Sequence, residues 1–123
     1  VTSNTDDNDD NISNTENAVE NANEKDYDFS SYENDIRNIT KSVNNAKTST
    51  NASENHEQFY ALKKQVDAVD DELDKLDDEF EYAYQMKEIS FEIYKARERA
   101  IEKLEDELEL AEEALETKYG IDD

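Results

Sequence analysis

The sequence predicts an all-α protein: a long antiparallel helical hairpin of coiled-coil type, preceded by one short helix and a disordered acidic N-terminal tail. Three observations carry this. Apolar residues from Phe59 to Ala83 alternate steps of three and four, the seam of a heptad repeat. Gly120, the one Gly among 123 residues, stands just past a second apolar run, where a left-handed C-cap is needed. Composition also changes sharply near residue 54. All 13 Asn lie between Asn4 and Asn55, and all seven Leu lie between Leu62 and Leu115.

Residues 1–29 are expected to be a disordered Asn/Asp-rich tail. Ile12 and Val19 stand isolated among polar residues, too little apolar surface to offset chain entropy. The run Asp6-Asp7-Asn8-Asp9-Asp10-Asn11 suggests a calcium loop at first sight. Counted from Asp6, however, the Gly and Glu that such a loop needs at its sixth and twelfth places are Asn11 and Asn17. A solvated spacer is the better reading. Asn11, Asn38 and Asn51 fit the N-glycosylation pattern, as so much Asn, Ser and Thr makes inevitable.

Residues 30–53 are read as a short amphipathic helix and a linker. Tyr32, Ile36, Ile39, Val43 and Ala46 draw one apolar stripe over 30–47. Ser30 with Glu33 three residues on spells a capping box. A helix this short is marginal alone and needs a surface to pack on.

Residues 54–123 form the hairpin, with helices expected at about 55–87 and 91–119. Ser53 or Asn55 caps the first, and Ser90 caps the second. A link near 88–90 is short enough to force antiparallel packing. Setting partner numbers to a sum near 177 places Leu76 on Ile101, Leu73 on Leu104 and Val69 on Leu108. It also places Val66 on Ala111, Leu62 on Leu115 and Ala83 on Tyr94. Phe80 then faces Arg97, whose guanidinium can stack on the ring.

The second helix carries more apolar residues than one seam consumes. Ile93, Ala100, Leu110 and Ala114 lie beside it and are the candidate interface residues. Either the 30–47 helix or a second hairpin covers them. The sequence reading favours the second hairpin, hence a homo-oligomer or complex with another protein.

Composition excludes several function classes. The chain has 35 acids against 13 bases, a net charge of −22, so nothing neutralises a run of phosphates or an anionic membrane. There is no Cys, so no disulfide and no thiolate site. No stretch approaches the length of an apolar membrane span. His56 is the single His and falls off the apolar stripe, and one Gly cannot build a phosphate loop. No catalytic residue, cofactor or metal ligand is therefore assigned, and the chain is not expected to be an enzyme. The acidic runs Asp67–Glu81 and Glu102–Glu116 read first as a solvated face, and second as a docking surface for a basic partner or a diffuse cation site.

The chain opens on Val and shows no signal-peptide pattern, so it is expected to be a trimmed piece of something longer. The expected function is a non-catalytic coiled-coil interaction or assembly module. Its setting would be the exposed part of a microbial secreted or surface-anchored protein, extracellular rather than cytoplasmic. The alternative is an intracellular acidic adaptor, chaperone-like, that binds a basic partner.

Overall fold

A computed structural model describes residues 27–121. Among them are three helices and no strand: α1 (Ser30–Asn45), α2 (Ala52–Gln85) and α3 (Phe91–Tyr119). The tail expected over 1–29 lies outside the described residues, except for its last three.

Those three correct the expected boundary. Phe29 is 7% exposed and belongs to the core, and Tyr27 packs against that core. Tyr27, Phe29 and Phe80 form a ring cluster with centroids 4.8 to 6.2 Å apart, and two of its three contacts are edge-on. The structured part thus begins on aromatic residues that precede the helix.

The capping box of α1 is not formed. The Asp28 carboxylate accepts from the Ser30 amide at 2.9 Å, and Phe29, with no side-chain cap bond, takes the N-cap place. Neither Asp28 nor Ser30 holds the N-cap place; the Asp28 carboxylate satisfies the amide of the first helical residue from one position before the cap.

The first hairpin helix begins earlier than expected, at Ala52. Asn51 is the cap: its side-chain oxygen accepts from the amides of Ser53 and Glu54 at 2.9 and 3.2 Å. Asn55 serves the linker instead, exchanging two 2.8 Å bonds with the Ser49 backbone. The helix also ends earlier, at Gln85. The turn is therefore 86–90, and Lys87 occupies a left-handed position at φ 63°.

The caps of α3 match expectation. The Ser90 hydroxyl accepts from the Ile93 amide at 3.2 Å. Gly120 is left-handed at φ 65°, and the Ile121 amide returns to the Glu116 carbonyl at 3.2 Å.

The two long helices run antiparallel. Phe80 faces Arg97, with the guanidinium carbon 4.6 Å from the ring centroid. Gln58 bonds Tyr119, Lys63 pairs with Glu112, and Tyr84 stacks on Tyr94. These pairs sum to between 175 and 178, in line with the register expected from the apolar residues. Val66, Val69, Leu73, Leu76, Ile101, Leu104, Leu108, Ala111 and Leu115 are buried. Leu62 is only partly buried, and Ala96, outside the expected seam, is buried.

Helix α1 packs on both long helices through Ile36, Ile39 and Val43. It runs parallel to α3: Arg97 stacks on Tyr27 at one end, and Lys118 reaches Val43 at the other. The third-layer place on the hairpin is thus occupied by α1. Its 16 residues span about 24 Å at the usual rise, against about 51 Å for α2. The turn end of the hairpin lies beyond its reach, and there Tyr82, Met86 and Phe91 stay exposed.

Candidate functional site: the groove between α1 and α3

The α1 stripe that faces outward beside its buried face is Glu33, Arg37, Thr40 and Asn44. On α3 the matching stripe is Ala100, Lys103, Glu107, Leu110 and Ala114. Together they wall a groove of about 560 Å³, floored by Phe29, Ile36, Val43, Leu104 and Ala111. The steps of three and four on both helices are what set two complete stripes side by side. The small side chains of Ala100 and Ala114 keep the groove open. Leu110 remains 66% exposed on its wall, the highest value among the large apolar residues.

Three of the four candidate interface residues thus come together here: Ala100, Leu110 and Ala114. Ile93 does not line the groove. It lies half-buried near the start of α3. The sequence reading missed the α1 wall, because the partner stripe Glu33-Arg37-Thr40-Asn44 is polar and carries no hydropathy signal. Its spacing was the available clue.

One end of the groove is locked by an unexpected bond set. The ammonium of Lys118 donates to the carbonyls of Val43, Asn44 and Ala46 at 2.7, 3.0 and 2.6 Å. These carbonyls lie at the C-terminal end of α1, where the Val43 carbonyl also accepts from the Ala46 amide at 3.3 Å. A cation there also complements the negative end of the helix dipole.

A second, acidic face lies on the other flank of the hairpin. Asp67, Asp70, Glu105, Glu109 and Glu112 surround a hollow of about 230 Å³ over Val66 and Leu108. Partial loss of solvent in the hollow, and then the neighbouring carboxylates Asp74, Asp71, Asp67 and Glu112, raise the Asp70 carboxyl above its ordinary value. Burial followed by Asp74, Asp70, Asp77 and Glu102 does the same to Glu105. Asp77 is raised by burial and then by Glu98 and other acids. Lys63 offsets part of this charge. It pairs with Glu112 and, at 3.5 Å, with Asp67, and the hydrogen bond to Glu112 is the main cause of its raised pKa.

Asp70, Asp71 and Asp74 bring carboxylate oxygens within 4.8 Å of one another, all exposed. Acids at such spacings on one helix produce this cluster without any ion. His56 is exposed and stacks on Tyr60, with ring centroids 6.2 Å apart, and lines neither hollow. Among the described residues no helix is long and apolar enough to cross a membrane.

Comparison with known proteins yields no match: no family model, no curated protein and no solved structure matches this chain.

Proposed function

We propose that this chain is a non-catalytic interaction module, a coiled-coil-type hairpin whose α1–α3 groove docks a helix of another protein chain. The observation that carries the reading is Leu110, a large aliphatic side chain held 66% exposed on the wall of a groove floored by core residues. A helix laid in a groove needs apolar anchors flanked by small residues, and Leu110 with Ala100 and Ala114 supplies that pattern. The Asn-, Ser- and Thr-rich composition of residues 1–26 suits a spacer that presents such a module on the outside of a microbial cell.

Light scattering over a concentration series, with wild type and Leu110→Glu, tests the docking face. The variant is expected to keep its helicity and shift to a smaller species. A variant that forms the same complexes as wild type counts against the groove.

The acidic face favours a second reading, an adaptor for a basic partner. Asp70, Asp77 and Glu105 are carboxyls whose ionisation is opposed first by loss of solvent and then by neighbouring acids, and a cationic partner would relieve the second of these. Binding through that face would weaken steeply with salt and be indifferent to Leu110→Glu.

A further inference from the structure

The groove is locally neutral in a chain of net charge −22. Its walls carry Glu33 and Arg37 on α1, and Lys103 and Glu107 on α3. No ion pair joins these four to one another among the described residues. Arg37 donates to Asn34 on its own helix at 2.8 Å. Lys103 and Glu107 are one turn apart in the order that gains least from the helix dipole, since Glu before Lys is the better arrangement.

The two walls are in step. Arg97 lies over Tyr27 just before α1, Lys118 reaches Val43 within it and Ala46 just after it, and the groove pairs residues 33–44 with 100–114, so a residue of α1 stands beside one numbered about 70 higher on α3. Glu33 and Arg37 accordingly stand at the level of Lys103 and Glu107.

We propose that the groove face packs on the same face of a second copy of this chain, α3 on α3 and α1 on α1, antiparallel across a two-fold axis at the level of residue 105. The proposal rests on the docking reading above and deepens it. In this register, facing residues of the two α3 helices sum to 210. Lys103 meets Glu107 of the second copy, and Glu107 meets its Lys103. Leu110 meets Ala100 of the second copy, whose small side chain leaves room for it. On the α1 level, Glu33 meets Arg37 of the second copy, and the reverse. All four charge contacts are between opposite signs.

A two-fold contact must be its own complement, and this stripe is. A parallel arrangement would set Lys103 on Lys103 and Glu107 on Glu107, so charge selects the antiparallel one. An unrelated helix has no reason to carry the same Lys-then-Glu order at the same spacing from a large and a small apolar residue. The acids Asp70, Asp77 and Glu105 lie on the other flank of the hairpin, away from the contact. At about 0.15 M salt the screening length is about 8 Å, which confines repulsion between the two copies to near neighbours.

Sedimentation equilibrium of the full chain at about 0.15 M salt tests this. Lys103→Glu and Glu107→Lys each set like charges against each other at two contacts. Each is expected to weaken self-association by about tenfold or more, with helicity kept. The double variant Lys103→Glu/Glu107→Lys restores it, and so does an equimolar mixture of the two single variants. Because the chain has no Cys, direction is read by cross-linking. Ala100→Cys and Leu110→Cys are expected to join each other on oxidation when mixed, and neither to join itself. A wild type that stays monomeric at high micromolar concentration overturns the proposal. So do charge variants that associate like wild type, or a Leu110→Cys chain that cross-links to itself. If Leu110→Glu abolishes association while the charge variants leave it intact, the docking face stands and this register is wrong.

Discussion

The ammonium of Lys118 donates to the carbonyl of Val43 at 2.7 Å, and so the last turn of α3 closes the open end of α1. These residues are 75 apart in sequence. The contact fixes where α1 ends against the hairpin, and with it the depth of the groove.

Replacing Lys118 by Met keeps the apolar stem and removes the donor. Bonds to charged groups contribute about 1.5–3 kcal/mol, and the loss is expected in that range. It is also expected to be local. Hydrogen exchange should quicken at the C-terminal end of α1 and stay slow at Leu73 and Leu104. Uniform quickening along all three helices would show that the bond is not a local clasp.

Phe29 belongs to the core although it precedes the first helix. Phe29→Ala is expected to cost about 3–5 kcal/mol, the usual range for a buried aromatic truncation. Chemical denaturation reads this directly. A cost near zero would mean that the Tyr27–Phe29–Phe80 ring cluster does not hold α1 to the hairpin.

How much of this was legible follows from the range of each contact. The α2–α3 register could be read because both seams are apolar and long, so a wrong sum leaves several residues unmatched. Ser90 and Gly120 could be read because caps are local chemistry. The Phe80–Arg97 contact followed from the register alone. Lys118 could not be read, because a Lys near a helix end ordinarily serves its own helix. Asn51 does not stand out from Ser53 and Asn55, since three good caps stand within five residues and only the backbone decides among them. Tyr27 and Phe29 read as tail in the sequence because two aromatics with no periodicity give no helix signal. The groove was half legible. Its α3 wall showed as surplus apolar residues, whereas its α1 wall is polar.

The acidic flank sets the pH dependence. Asp70, Asp77 and Glu105 are raised, first by burial and then by neighbouring acids. A raised carboxyl pKa means that the folded state binds protons more readily than the unfolded chain. The stabilisation is then full below the unfolded value and lost as pH rises through the folded one. Stability is expected to increase as pH falls from about 7 to about 4.5. Asp28 is lowered by its bonds to Ser30 and acts in the opposite direction, but it is fully exposed. Thermal melts by circular dichroism at the two pH values check this. A melting temperature that falls on acidification would show that the acids are paired in the folded state.

The proposed contact with another chain lies in the groove beside Leu110. Of the seven leucines, Leu110 alone is exposed, while Leu73, Leu76, Leu104, Leu108 and Leu115 are buried and Leu62 is partly so. Methyl resonances of the leucines, followed by NMR through a dilution series, therefore report on the groove separately from the core. The Leu110 methyls are expected to move with concentration as the complex dissociates, while those of Leu73 and Leu115 stay fixed. Leu110 resonances that stay constant while the mass of the complex changes would place the contact elsewhere and contradict the account.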